Sequence, residues 1–320
     1  TEQRVDLTLF SEKIQALKDR IASVIVGQEQ TVDLVLTAIL ANGHVLIEGV
    51  PGVAKTLLAR LTARLIDADF SRVQFTPDLM PSDVLGTTVF NMKTNGFDFH
   101  QGPIFADIVL VDEINRAPAK TQAALFEVME ERQISIDGTT HRMGDLYTIL
   151  ATQNPVEQEG TYKLPEAQLD RFLMKITMDY PSLEEEVNIL ERHHTNAALV
   201  KLDDITPAIT KEELLSLRAF MNQVFVDRTL LQYIALIVQQ TRTSKAVYLG
   251  ASPRASVAML QSSKAYALLQ GRDFVTPEDI KFVAPYVLQH RLILTAEAEM
   301  EGYSPVKVTQ RLIDKVEVPK

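Results

Sequence analysis

A parallel α/β domain followed by an all-helical domain is the fold class that this sequence of 320 residues predicts. Three observations carry that reading. Residues Gly49–Thr56, Gly-Val-Pro-Gly-Val-Ala-Lys-Thr, form a glycine-rich turn between a short apolar strand, Val45–Ile47, and a helix, Leu57–Leu65. Ile108–Val111 is a continuous apolar run ending in Asp112-Glu113, and such runs suit strands buried on both faces of a parallel sheet. Beyond Tyr180-Pro181 the strand signals stop, and from Thr210 onward the patterning is helical throughout.

Taken in order, the first element is a helix over Glu12–Ser23, capped by Ser11, with Ile14, Leu17, Ile21 and Val24 on one face. Val26-Gly27-Gln28 breaks it, and Thr31–Leu40 is the next helix. From Val45 to about Tyr180 strands alternate with helices, with Tyr147–Ala151 as a further core strand. Two hairpins interrupt the alternation, Thr87–Phe99 around Asn95-Gly96 and Ile134–Arg142 around Asp137-Gly138. Asn-Gly and Asp-Gly turns are expected to put both central residues at positive φ. Ser182–His194 reads as a polar-faced helix and Thr195–Pro207 as a poorly patterned connection. Helices then follow over Lys211–Val224, Arg228–Thr241, Pro253–Leu269, Pro277–His290 and Val306–Val316. The expected organisation is an α/β domain over 1–195, a linker over 196–206 and a helical domain over 207–320.

Composition narrows the function. Apolar content is 46% and charged content 23%, ordinary for a globular chain. With 32 basic and 42 acidic residues the net charge is −10, which argues against a surface built for nucleic acid. The sequence has no cysteine, so disulfide frameworks, zinc ribbons and thiol chemistry are excluded. That usage, with neither a charged-then-apolar leader nor an apolar stretch of membrane length, makes a cytoplasmic protein without a membrane segment the expectation. His193 and His194 are adjacent, and neighbours on a helix point about 100° apart, so the pair reads as solvated surface rather than a metal site.

The order strand, glycine-rich turn, Lys-Thr, helix is that of a phosphate-binding loop. Such a turn aims backbone N–H groups at phosphates, and the following helix adds its positive end. Lys55 would reach the β- and γ-phosphates of ATP, and the Thr56 hydroxyl would sit on Mg²⁺. Ala54 stands where the usual pattern has its last glycine; Gly52 keeps the loop able to bend, and a methyl is the smallest possible intrusion. Asp112 and Glu113 end a strand where open α/β sheets bind ligands. Asp112 would hold Mg²⁺ through its waters, and Glu113 would polarise the attacking water. Asn154, in Thr152-Gln153-Asn154-Pro155, either orients that water or caps a turn before proline. Arg171 falls at a helix end. Ser252-Pro253-Arg254 opens another helix, with Ser252 as its cap and Arg254 opposing the helix dipole by about 0.3–1 kcal/mol, a place that suits either a cation facing an anion or an exposed Arg reaching water.

These stretches resemble the AAA+ ATPases, and among them the MoxR family. The resemblance is carried by GVPGVAKT at 49–56, GPIFADIVLVDEINRAPAKTQAALFEVMEERQ at 102–133, ATQNPVEQEGTYKLPEAQLDRF at 151–172 and GASPRAS at 250–256, which with their spacing cover most of the chain. Family loops resemble GxPGxAKT, so Ala54 is no departure there. The resemblance implies that Lys55 and Thr56 are the Walker A pair, within a nucleotide cradle of Gly49, Pro51, Gly52, Val53, Ala54 and Leu57. It makes Asp112 and Glu113 the Walker B pair and Asn154 sensor 1. Arg171 becomes a finger reaching a neighbouring subunit's nucleotide, with Arg116 and Arg132 as other candidates for that cation. Arg254 becomes sensor 2 in a helical lid, acting on its own subunit's nucleotide or a neighbour's. Val26, Gly27 and Gln28 would lie near adenine. The resemblance also implies a homo-oligomeric ring, usually hexameric, with both hairpins toward its pore. Its client would be a protein, in some relatives one carrying a von Willebrand A domain and receiving a metal or cofactor.

Other readings are a nucleic-acid motor, a chelatase-type motor subunit and a nucleotide-gated scaffold. The first needs basic hairpin tips, and here Lys93 faces Asp98 while His141 and Arg142 accompany Asp137, which is thin for a phosphate track. An intact Glu113 speaks against the scaffold.

Overall fold

The structure is a computed structural model and describes residues 7–50, 52–154, 162–195 and 201–319. Pro51 of the phosphate loop, residues 155–161 and linker residues 196–200 lie outside the described residues. In chain order the elements are α1 (Leu7–Val24), α2 (Glu29–Leu40), β1 (Val45–Gly49), α3 (Lys55–Leu65), β2 (Phe70–Gln74), α4 (Pro81–Leu85), β3 (Gly86–Asn91), β4 (Gly96–Gln101), β5 (Ile108–Asp112), α5 (Ala119–Glu131), β6 (Gln133–Ile136), β7 (Thr139–Arg142), β8 (Thr148–Gln153), α6 (Glu166–Leu169), β9 (Met174–Met178) and α7 (Leu183–His194). The helical part holds α8 (Lys211–Phe220), α9 (Arg228–Thr243), β10 (Val247–Leu249), α10 (Pro253–Leu269), α11 (Pro277–Leu288), β11 (Ile293–Leu294), α12 (Ala296–Met300) and α13 (Pro305–Lys315).

Five parallel strands form the central sheet in the order β2-β5-β8-β1-β9. Strand β1 lies between β8 and β9, so the chain leaves the sheet's middle, crosses to β2 and works back. That places a topological switch point beside β1, where open α/β sheets bind ligands outside the carboxyl ends of their strands. Every residue of β5 is buried, as its unbroken apolar run requires. Two core strands carry weaker sequence signals: β2 reads Phe-Ser-Arg-Val-Gln and has only Val73 buried, and β9 alternates Met-Lys-Ile-Thr-Met.

The helical part shares one hydrophobic core with α1, α2 and α3, through residues such as Leu17, Val35, Leu61, Leu217, Met259 and Val283. A second core lies on the other side of the sheet, under α5 and the hairpins.

Four local expectations are corrected. Ser11 lies inside α1, because the apolar stripe begins a turn earlier, at Phe10, and runs on through Ile14, Leu17 and Ile21. Ser252 occupies the N-cap of α10 but its side chain accepts no capping hydrogen bond. The first hairpin pairs Asn91 with Gly96 across a four-residue turn in which Asn95, not Gly96, takes φ +50, whereas Asp137 and Gly138 form the expected two-residue turn at φ +50 and +79. The segment after Thr210 is not wholly helical, since β10 and β11 pair as a short antiparallel ribbon.

Candidate active site

Register brings the motifs of the α/β domain into rows. Ile47 pairs with Thr152 and Glu48 with Gln153 across β1 and β8, and Val111 pairs with Ala151 across β5 and β8. One step on, Asp112 stands level with Thr152, whose hydroxyl donates to Asp112 Oδ1 at 3.2 Å. The same hydroxyl oxygen accepts from the Glu113 N–H at 3.0 Å. Asn154, just past β8, falls level with Gly49 at the mouth of the phosphate loop.

The loop itself is wound tightly. Gly52 takes φ +89 and Ala54 takes φ +59, and Ala54 serves as the N-cap of α3. The helix therefore starts on Lys55 with its first N–H groups facing the loop, the geometry that holds phosphate. The Lys55 ammonium donates to Gly49 O at 3.0 Å. Burial pushes the Lys55 pKa below its ordinary value, while the nearby carboxylates of Asp112 and Glu113 push it back up.

Glu113 sits in the left-handed region at φ +52, a conformation that costs a residue with a side chain on the order of 1–2 kcal/mol. Its Oε2 accepts from Arg116 at 2.9 Å and from Gln74 at 3.1 Å. Asp112 is buried, and its Oδ2 accepts from Arg72 Nε at 2.5 Å. Sequence reading missed Arg72, Gln74 and Thr152. They come from β2, whose exposed pattern hides it, and from a threonine whose neighbour across the sheet was not legible.

A cleft of about 330 Å³ opens beside the loop, lined by Val26, Gln28, Val53, Ala54, Leu57, Pro181 and Ile189, among others. Gly27 takes φ +75 there, a left-handed conformation that favours glycine, and a Cβ on it would also displace the Glu185 carboxylate of α7. Arg192 of α7 donates to Ala22 O at 3.0 Å and Ser23 O at 2.9 Å, which ties the cleft's far wall to α1. His193 is exposed at the rim of this cleft.

The remaining cations are not at the phosphate loop. Arg132 donates to O of Tyr147, the residue before β8, at 2.8 Å and to O of Asn42, three residues before β1, at 2.5 Å, so it closes the amino end of the sheet. Arg171 is at that same end: Leu173 N donates to His44 O at 2.8 Å, two residues on from Arg171 and one before β1 begins. Gly49 lies five residues farther along the strand than His44, roughly 16 Å away at about 3.3 Å per residue. Arg171 pairs with Glu130 at 2.9 Å, and Arg254, whose side chain is 72% exposed, approaches the same carboxylate at 3.8 Å and Asp170 at 3.7 Å. The structure thus brings together Lys55, Thr56, Asp112, Glu113 and Asn154 at one edge, and Arg171 with Arg254 at the other.

Comparison with known proteins agrees with this architecture. The ATPase family associated with various cellular activities (AAA) matches residues 44–174, and the AAA lid domain matches residues 239–314. The uncharacterized protein YeaC of Bacillus subtilis (strain 168) is 47% identical over 301 residues, 94% of this chain and 93% of its own length. Chaperone MoxR1 of Mycobacterium tuberculosis is 44% identical over 306 residues, 93% of this chain and 80% of its own, and protein MoxR of Methylorubrum extorquens is 30% identical over 317 residues, 92% and 91%. A crystal structure from Cytophaga hutchinsonii, of a protein assigned provisionally as an ATPase, superposes with a TM-score of 0.90 at 40% identity, covering 98% of this chain and 97% of that one. With this sheet order, this loop and this helical domain, the chain belongs to the MoxR family of AAA+ ATPases.

Proposed function

We propose that this ATPase hydrolyses Mg·ATP between neighbouring copies of itself in a ring, usually hexameric in its family, and spends the cycle remodelling a protein partner. The observation behind the first half is the separation just described: the phosphate loop and Arg171 occupy opposite edges of one sheet. An arginine finger on a subunit's own nucleotide would have to cross that distance. Two copies stacked edge to edge supply it directly, and Arg254 goes with Arg171 because both approach Glu130. On this reading Arg254 also acts in trans, and Arg132 is withdrawn as a finger because backbone carbonyls hold it.

Within one site the roles follow from position. Loop N–H groups of Gly52, Val53 and Ala54 cradle phosphate and the α3 N-terminus adds its dipole. Lys55 leaves Gly49 O for the phosphates. The 330 Å³ cleft, with Val26 and Gln28 on one wall, is within the roughly 300–1,000 Å³ of small-molecule sites and takes the base. The donor set fits Mg²⁺: one hydroxyl, Thr56, and one buried carboxylate, Asp112, hard oxygens of the kind that share this ion with phosphate and water. The ion supplies charge neutralisation of the phosphates when bound. With Oδ2 engaged by Arg72 and Oδ1 by Thr152, Asp112 would meet the ion through its waters. Glu113 orients and polarises the attacking water, assisted by Asn154.

The remodelling output rests on similarity to Chaperone MoxR1 and on the two hairpins, which the ATPase core does not need. Proteins carrying a von Willebrand A domain are the partner class we favour. Among described residues no helix is long and apolar enough to cross a membrane, and a cytoplasmic setting is part of the proposal. The test mixes inactive Arg171→Ala with inactive Glu113→Gln subunits. Some interfaces then join an intact Glu113 site to an intact Arg171, and partial ATPase activity is expected. No recovery, with mixing confirmed, would assign Arg171 to its own subunit.

A further inference from the structure

Arg171 and Arg254 reach one another's neighbourhood from different parts of the chain, and a single carboxylate lies between them. Glu130 is the next-to-last residue of α5. Its Oε2 holds Arg171 Nη2 at 2.9 Å and its Oε1 faces Arg254 Nη2 at 3.8 Å. Asp170 extends the bridge, with Oδ2 at 3.7 Å from Arg254 Nη1 and Oδ1 accepting from Arg291 Nε at 2.7 Å. Arg291 is the fixed end of this chain of charges: its side chain is 5% exposed, and it also donates to the carbonyls of Asp170, Phe172, Leu173 and Val287. Arg254 is the loose end.

Three guanidiniums against two carboxylates leave this cluster with one excess positive charge. Without Glu130, Arg171 and Arg254 would be neighbouring like charges, and Arg254 would keep only its longer contact to Asp170, which does not touch Arg171's fork. With it, one oxygen of the carboxylate holds Arg171 and the other draws Arg254 to its side, so the two are presented as a pair.

We infer that Glu130 is a positioning residue for the ATPase reaction: it holds Arg171 and Arg254 together so that both reach the phosphates of a nucleotide bound by the neighbouring subunit. The inference rests on the trans reading of Arg171 proposed above. Arg171 offers five N–H donors, and the contact with Glu130 engages one face of the fork while leaving others for phosphate oxygens. Glu130 itself touches no reacting atom.

The experiment uses the full chain with Glu130→Gln, which keeps the shape and removes the charge, and Glu130→Ala. Misplacing the arginines is expected to lower kcat by about 10- to 100-fold. The KM for ATP should change by less than about threefold, since the loop, the cleft and Lys55 are untouched. The Glu130 side chain is 40% exposed, so the thermal midpoint should stay close to wild type. Mixing supplies the readout that a merely structural role would not move. Glu130→Gln subunits have intact phosphate loops, and Lys55→Ala subunits have intact arginines, so their mixture should recover activity. Wild-type turnover in Glu130→Gln, alongside loss in Arg171→Ala, overturns the inference and leaves the trans reading standing. So does a Glu130→Gln and Lys55→Ala mixture that stays dead while the Arg171→Ala and Lys55→Ala mixture recovers. If the latter mixture also fails, the trans reading itself falls and takes this inference with it.

Discussion

Arg116 Nη1 donates to Glu113 Oε2 across 2.9 Å, and Gln74 Nε2 donates to the same oxygen across 3.1 Å. The carboxylate proposed to polarise water is thus turned toward its own chain, on a backbone already at φ +52. To act, it has to loosen these contacts. Glu113→Gln should keep ATP binding and lose turnover by about 100-fold or more, the usual weight of a general base. Gln74→Ala removes one restraint worth about 1 kcal/mol and should raise basal turnover by up to about fivefold. Steady-state ATPase and nucleotide-binding assays on the two variants check this. A Glu113→Gln protein at wild-type rate would sink the role given to Glu113, and a slower Gln74→Ala would show that Gln74 aims the carboxylate rather than restraining it.

Ala54 carries the strain of the phosphate loop at φ +59, where the usual pattern has glycine. Ala54→Gly relieves roughly 1 kcal/mol in the folded state and loses a comparable amount through the freer unfolded chain. Thermal stability and ATP affinity should therefore both stay close to wild type. Ala54→Val puts a β-branched residue in the left-handed region and should weaken ATP binding at least tenfold with a lower melting midpoint. Calorimetry with and without nucleotide measures both. Equal behaviour of the glycine and valine variants would show that backbone strain at this position is not what shapes the loop.

How much was legible before the structure follows from which signals are local. The strand, turn and helix around residues 49–56, the strand that ends at Asp112 and the capped helix after Ser182 depend on residues adjacent in sequence, and the structure has each of these elements there. Long-range partners were not legible: nothing near Arg171 in sequence points to Glu130, and nothing near Asp112 points to Arg72. Strand β2 escaped because an edge strand with polar residues lacks the apolar run that betrays β5. The start of α1 was misplaced because Ser11 resembles a cap, yet burial of Phe10 outweighs that local preference. The position of Arg254 relative to the phosphate loop is a property of how the helical part docks, through the carbonyls that Arg291 gathers around residues 170–173.

Two buried histidines make stability depend on pH. His44 is fully enclosed: its Nδ1 accepts from the Ile149 N–H at 2.9 Å, which leaves Nε2 to donate to Met129 O at 3.0 Å. Burial lowers its pKa to about 3, with Arg132 pushing the same way. His290, with Nε2 at 2.7 Å from Phe172 O, is also held well below the ordinary value, again chiefly by burial. Both are neutral when folded, while the unfolded chain takes up protons below about pH 6.5. Stability is therefore fully present above that pH and falls as the solution is acidified, by up to about 1.4 kcal/mol per pH unit for each histidine. Urea midpoints between about pH 7.5 and about pH 5 should drop steadily, in a window above the range where most carboxylates titrate. A flat profile, or one unchanged by replacing His44 and His290 together with glutamine, would mean that neither histidine carries the effect.

The hairpins separate stability from output. Phe97 and Phe99 share a face of β4, but their surroundings differ. Phe99 packs on Phe105 at 5.9 Å and on His141 at 4.3 Å between ring centroids, joining the first hairpin to the second, where Thr88 also donates to Asp137 at 2.5 Å. Phe97 is 73% exposed and touches Phe90, itself 48% exposed, at 5.3 Å. The base of the face anchors the hairpin, and its tip is left to solvent as an apolar patch, with exposed Met92 two residues on from Phe90 in the turn. Phe99→Ala should lower the thermal midpoint, with a cost of about 2–3 kcal/mol for a half-buried aromatic. Phe97→Ala should leave stability and ATPase rate unchanged. If the tip meets the protein partner, a Phe90→Ala and Phe97→Ala double variant should lose partner binding while still hydrolysing ATP. Thermal melts, ATPase rates and binding measured on the same preparations decide it: full partner binding in a stable, active double variant removes this tip from the mechanism.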